Sequence, residues 1–161
     1  MSKNAPVIKQ VAWIALIPQL LLMGFLIWIF YFFGSNNPVF FGALVYLLLS
    51  YGIRGILTKE HKTGMKLSQQ GNFTDAINHY ENSIDFFTRN SWIDKYRYLT
   101  LLSASKMSFK EMGMNNIAFC YSQLGDGKKA MEMYEKILHE FPNSVIAKSA
   151  INILNSAKNM N

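Results

Sequence analysis

Residues 11–33 run for 23 positions without a charged side chain. A helix rises 1.5 Å per residue, so about 20 apolar residues cross the roughly 30 Å hydrocarbon core of a bilayer. Pro18, Gln19 and Gly24 interrupt the run, as helices in lipid tolerate. Turn chemistry follows at residues 34–38 (Gly, Ser, Asn, Asn, Pro). Residues 39–57 form a second apolar run of 19, broken only by Arg54. That arginine stands one turn from the end, where a long side chain can snorkel to the headgroups. The first run is longer than the 7–15 apolar residues of a secretory signal and ends on Trp28, Tyr31, Phe32 and Phe33, which form no cleavage site. The second is apolar on all sides, unlike an amphipathic core helix. The expected anchor is therefore a two-span transmembrane hairpin over residues 1–57.

Basic residues flank the spans and are missing from the loop: Lys3 and Lys9 before, Arg54, Lys59 and Lys62 after. The positive-inside rule then places both termini in the cytoplasm, and the plasma (inner) membrane is the expected location. Trp28, Tyr31, Phe33, Phe40 and Phe41 gather near the loop; Trp13 and Tyr51 lie toward the other face, as in two aromatic belts. Neither run holds a Gly-x-x-x-Gly pair, so no tight dimer face is advertised, and a homo-oligomer stays open. Neither holds an acid or a histidine, which argues against an ion or proton path. Only 16% of the chain is charged, against roughly 25% in soluble domains, and the deficit lies in this first third. Residues 63–161 hold eleven basic and nine acidic side chains. That slight excess is too small to suggest nucleic-acid binding. A single cysteine excludes an intramolecular disulfide framework.

Residues 58–161 repeat themselves at an offset of 54. Gln70, Gly71 and Asn72 align with Leu124, Gly125 and Asp126; Ala76 and Ile77 with Ala130 and Met131; Tyr80 and Glu81 with Tyr134 and Glu135; Gly64 and Leu67 with Ala118 and Tyr121. Apolar stripes recur at helical spacing: Ile77, Tyr80, Ile84, Phe87, and then Ala130, Met131, Tyr134, Ile137, Leu138, Phe141. Thr74 and Asp75 are the expected caps of the first of these helices. Gly71 and Gly125 suit a left-handed helix-ending turn.

On Met114, Ile117, Ala118, Tyr121, Gly125, Ala130, Tyr134 and Pro142, the second copy resembles the tetratricopeptide repeat family, with its 34-residue helix-turn-helix unit. Gly64, Leu67, Gly71, Ala76 and Tyr80 carry the same resemblance in the first copy. Glu60, Thr63 and Thr88 depart from it there. The resemblance implies an all-α solenoid that binds protein or peptide partners on the face formed by the first helices of each pair. Units are expected at residues 58–90 and 108–142. The offset exceeds the family period by 20 residues, so an insertion lies between them, at 91–107. Its Trp92, Ile93, Tyr96, Tyr98, Leu99, Leu101 and Leu102 are too apolar to float in water, and they pack on the repeat, a partner or the membrane surface. A short helix is expected from Trp92. Ser108 with Glu111 forms a capping box, stapled by Met107 and Met112, that starts the next helix at Phe109 and runs it to Leu124. Ser144 is the expected cap of a last helix, 144–158. Its Ile146, Ala150, Ile151 and Leu154 face inward, and Lys148, Asn152, Asn155, Lys158 and Asn159 give the polar outer face that ends a solenoid. No proline occurs between Pro38 and Pro142, so the second span is expected to run with little or no break into the first repeat helix.

Chemistry is harder to find. His61, His79 and His139 have no metal-ligand spacing. Cys120 has no histidine near it in sequence. Gly125, Asp126 and Gly127 before two lysines lack the phosphate-loop spacing, and Asp126 lacks the further acids of a calcium loop. No catalytic residue, metal or cofactor is therefore assigned. The inward first-helix positions Met112, Asn115, Phe119 and Ser122, with Trp92 and Tyr96 of the insertion, form the candidate partner-binding surface. Some tetratricopeptide relatives grip a carboxylate on that face; Phe119 stands where such a set needs a polar residue, so an apolar or aromatic ligand is expected. The chain reads as a membrane-tethered interaction module or scaffold. The competing reading is a structural subunit of a membrane complex that contacts partners through the hairpin itself.

Overall fold

The computed structural model describes residues 13–158, and every regular element among them is helical. They divide into two compact units: a hairpin unit of residues up to Lys59 together with Ser91–Lys106, and a repeat unit of Glu60–Asn90 together with the residues from Met107 onward.

In the hairpin unit a short 3-10 turn, Trp13–Ala15, leads into α1 (Leu16–Phe32). Gly34, at φ +70°, ends α1: Ser35 N–H donates to Phe30 O (3.0 Å) and Gly34 N–H to Tyr31 O (3.0 Å). This paired closure needs a left-handed residue, which glycine supplies without a Cβ penalty. Pro38 opens α2 (Pro38–Leu57) at a position where its missing N–H costs nothing. The two helices run antiparallel and come very close at Gly42. A Cβ there would lie 2.8 Å from the Ile27 Cα. Phe30 and Phe41 stack beside this crossing at 5.8 Å. Of the two expected spans, only α2 is long and apolar enough among the described residues to cross a membrane; α1 has 17 described residues. Val11 and Ala12 of the first expected span, the basic pair Lys3 and Lys9, and Asn159 of the last expected helix lie outside the described residues.

The insertion belongs to this unit. It forms α5 (Ser91–Lys95) and α6 (Arg97–Thr100), then a coil, and α6 packs on α1. Arg54 Nε donates to Leu101 O at 2.8 Å, and Nη2 donates to Leu102 O. The arginine therefore does not snorkel outward, because two carbonyls of the insertion satisfy it. Arg97 does the same within the insertion: its guanidinium donates to the carbonyls of Asp94 (2.9 Å), Ser105 (2.8 Å) and Lys106.

The repeat unit holds α3 (Lys59–Gln69, from Glu60), α4 (Phe73–Arg89), α7 (Phe109–Gln123), α8 (Gly127–Glu140) and α9 (Val145–Lys158). Thr58, at φ −107°, is the one non-helical residue between α2 and α3, so the break between the second apolar helix and the first repeat helix is a single residue. The two copies agree down to single hydrogen bonds. Asn72 N–H donates to Leu67 O, and Asp126 N–H to Tyr121 O, both at 3.0 Å. Gly71 and Gly125 stand at φ +81° and +80°. The residue after each glycine caps the next helix: the Asn72 side chain accepts from Asp75 N–H and the Asp126 side chain from Lys129 N–H. The cap of α4 is thus Asn72, not Thr74 or Asp75; the glycine turn delivers the following residue to that position.

Ser108 Oγ accepts from Glu111 N–H at 3.1 Å and starts α7 at Phe109. Ser144 is buried, and its hydroxyl makes no hydrogen bond, so it does not cap α9 through its side chain. Tyr80, Ala76, Ile77, Ile117 and Cys120 make one buried cluster; Met114, Ala118, Ala130, Tyr134, Ile137 and Ala147 make the next. Ile84, Tyr121 and Met133 touch both and join them into one core.

Candidate interaction surfaces

The first helices of the two copies, α3 and α7, present equivalent positions at the 54-residue offset. His61 and Asn115 are one such pair, and both are 5% exposed. Asn115 donates its side-chain amide to Glu111 O at 2.9 Å, so this expected surface residue is turned into its own helix. His61 lies edge-on to Tyr80 and Phe109, each 5.5 Å away. Burial lowers its pKa to about 4, because an imidazolium there would lose its hydration. Ser68 and Ser122 form a second pair. Ser68 Oγ lies 3.2 Å from Cys120 Sγ and 3.4 Å from Tyr80 Oη, while Ser122 donates to Phe119 O at 2.7 Å.

Met65 and Phe119 form a third pair, and here the side chains meet solvent. Met65 is exposed; Phe119 is half-buried, its ring edge-on to Phe73 at 6.3 Å. Met112, two turns earlier on α7, is half-buried as well. Met65 on α3 and Met112 and Phe119 on α7 are thus apolar first-helix side chains that reach solvent. Met65 is not among the residues expected from the sequence, although the offset from Phe119 marks it.

Trp92 and Tyr96 belong to the other unit. They are 59% and 53% exposed, and Leu99 follows at 54%. The six expected surface residues thus divide between the two units.

The remaining signature residues are structural. Gly64 seats the Tyr80 ring: a Cβ on it would lie 2.9 Å from Cδ1 and Cε1. Ala76, Ala118 and Ala130 are fully buried, Tyr134 nearly so, and Leu67 and Tyr121 are half-buried against the core. Pro142 is exposed just beyond α8. Where the first copy departs from the family pattern, Glu60 makes a polar contact instead, with His79 Nδ1 at 2.7 Å.

Burial also governs the titratable groups. It pushes the Tyr80 and Tyr134 hydroxyls up to about 12 and raises the Cys120 thiol. A buried thiol held protonated is a poor nucleophile. Among the described residues no group of three or more His, Cys, Asp or Glu side chains could hold a metal ion.

The tetratricopeptide repeat family model matches residues 116–144, from within α7 through the glycine turn and α8 to the threshold of α9. No curated protein and no solved structure gives a significant match. The chain is thus all-helical in its described elements and carries a tetratricopeptide-type repeat in its second copy.

Proposed function

We propose that the protein is a membrane-tethered protein–protein interaction module. Its α1–α2 hairpin crosses the plasma (inner) membrane twice. Both termini and the repeat unit are cytoplasmic, and the repeat binds an apolar or aromatic peptide segment on the face of Met65, Met112 and Phe119. Binding rather than catalysis is the proposed mechanism, since the buried cysteine and the neutral buried histidine are unsuited to nucleophilic or acid–base work. Confinement to a surface raises the effective concentration of a partner at that surface, which strengthens a weak repeat–peptide contact without new contacts.

One observation carries the membrane part: the outer faces of α1 and α2 are exposed and apolar, with Leu20, Leu21, Phe25, Trp28, Leu47 and Leu48 all at 55% or more. Soluble monomers rarely expose an apolar patch beyond a few hundred Å². The matched repeat supports the binding part, because helical repeats use their first-helix faces as extended contact surfaces.

Topology is tested with Asn36→Cys in a Cys120→Ala background. A membrane-impermeant maleimide applied outside should label the introduced loop thiol, and carbonate washing should leave the chain in the membrane. Labelling of an added terminal cysteine from outside, with the loop thiol protected, would overturn the topology. Phe119→Ala should abolish partner recovery from detergent extracts, whereas Phe73→Ala, which removes the same ring contact, should leave recovery largely intact.

A further inference from the structure

We propose that the inserted segment, Ser91–Lys106, is a membrane-interface element that lays Trp92, Tyr96 and Leu99 into the phospholipid headgroup region at the end of the hairpin. The proposal rests on the reading that the hairpin crosses the bilayer, and it adds the place and occupant of the insertion's apolar face.

The first observation is attachment. Arg54 stands three residues before the end of α2, and its guanidinium holds the carbonyls of Leu101 and Leu102. α6 packs on α1. The segment is therefore fixed to the hairpin near its open end, the end at which Trp13 precedes α1 and Tyr51 lies in the last two turns of α2, 76% and 81% exposed. Tryptophan and tyrosine concentrate at that depth, where an apolar ring with one polar group meets both environments.

The second is sidedness. Ile93, Arg97, Leu101 and Leu102 are buried, whereas Trp92, Tyr96 and Leu99 are each more than half exposed at spacings of four and three. The segment thus presents a stripe of two aromatics and a leucine outward. The stripe belongs to the same unit as the exposed apolar faces of α1 and α2, and lipid is the occupant that suits both.

The third is charge. Lys95 and Lys106 of the segment are exposed, Lys95 beside the stripe with its Nζ 5.5 Å from the Tyr96 ring centre, and the segment's one acid, Asp94, is buried. The described part of the repeat unit balances nine basic against nine acidic side chains, so the net positive charge lies elsewhere in the chain. Lysines placed beside interfacial aromatics attract anionic headgroups.

The fourth is the backbone. Where a non-helical segment borders the hydrocarbon, its carbonyls need protein donors, because water is scarce on that side. Here Arg54 takes those of Leu101 and Leu102, and Arg97 takes those of Asp94, Ser105 and Lys106. Thr100 Oγ1 donates to Ile93 O at 2.6 Å.

The test uses the full chain in vesicles of phosphatidylcholine with phosphatidylglycerol. Trp13→Phe with Trp28→Phe leaves Trp92 as the sole indole; both replacements are aromatic for aromatic at exposed sites and should preserve the fold, checked by circular dichroism. A companion, Trp13→Phe with Trp92→Phe, leaves Trp28 in the hairpin. Lipids brominated high in the acyl chain should quench Trp92 several-fold more than lipids brominated near the chain end, and its emission should be blue-shifted from that of indole in water. Water-like, unquenched Trp92 emission with Trp28 quenched overturns this proposal and leaves the hairpin reading intact. Blue-shifted but unquenched emission overturns it too, because a protein surface, from a partner or a second copy, then covers the stripe. If Trp28 also escapes quenching at every depth, the hairpin reading fails and the proposal falls with it.

Discussion

Gly64→Ala should weaken the repeat unit by about 1 kcal/mol, although alanine is the better helix former. On propensity alone the change should stabilise α3 by about 1 kcal/mol. The added methyl, however, would lie 2.9 Å from Cδ1 and Cε1 of Tyr80 and 3.1 Å from its Cζ. That ring is 1% exposed, touches His61, and brings its hydroxyl to 3.4 Å from Ser68. It is pinned at both ends, so the methyl must force backbone or core shifts, which cost about 1–3 kcal/mol in well-packed interiors. The clash therefore outweighs the propensity gain. Cys120 supplies the assay: it is the chain's one cysteine, fully buried in the Tyr80 cluster. Its thiol reacts only when this unit opens, so the labelling rate reports local stability. A loss of 1 kcal/mol raises the open population about fivefold, and labelling should speed up by that factor. Gly127→Ala is the control, because nothing lies within 4 Å of its added methyl; labelling should stay equal or slow down. Adding Tyr80→Phe should not rescue Gly64→Ala, since the clashing ring carbons remain. If Gly64→Ala labels no faster than the parent while the control behaves as expected, the ring is not seated on Gly64 and the packing argument is wrong.

Acidification should weaken the repeat unit through His61. Its folded pKa of about 4 lies below the unfolded value of 6.5, so its contribution is full above pH 6.5 and is lost as pH falls toward 4, by about 2 kcal/mol at pH 5; in His61→Phe this part of the pH slope should vanish in denaturant titrations, and an unchanged slope would refute it. Truncation after Pro142 should abolish cooperative unfolding, because α9 brings the fully buried Ala147, with Ile151 and Leu154, against Tyr134, Ile137 and Phe141. Re-exposing three such side chains costs on the order of 5 kcal/mol, comparable to the whole stability of a small domain; a cooperative melt in the truncated chain would show α9 to be dispensable. In the native chain Cys120 should resist thiol reagents at neutral pH and react fully in denaturant, since burial raises its pKa and Ser68 covers it; prompt native labelling would contradict its placement.

The elements that can be read from the sequence are those whose causes are local. Ser108 and Glu111 stand three apart, and the bond between them is the one observed. The glycine turns are visible because a left-handed residue leaves a signature in one letter, twice, at a fixed offset. The caps of α4 and α8 follow the same rule one residue later. Thr74 and Asp75 attract the cap assignment because both are good capping types; the turn geometry, fixed by Gly71, puts Asn72 in place instead. Asn115 reads as a surface residue by helical phase alone. Its bond back to Glu111 depends on a neighbour in the same helix, but its burial depends on the elements packed over it.

Arg54 shows where local reading ends. Taken with its immediate neighbours, an arginine near the end of an apolar helix reaches for headgroups. Its observed partners are carbonyls 47 and 48 residues away, in a segment whose apolar letters alone could not say what it packs against. The same holds for Gly42: a close helix crossing is usually sought as two small residues four apart, whereas here a single glycine receives the Ile27 backbone from the facing helix. Both contacts join parts of the hairpin unit that no periodicity links. They also have a common consequence. A guanidinium that already donates to two carbonyls is not a free interfacial anchor, so the mobile charges of the hairpin unit near that end are the exposed Lys59, Lys95 and Lys106. The insertion is then not a free spacer in the sequence but a part of the hairpin unit, tied to the end of α2 through Arg54 and to α1 through α6.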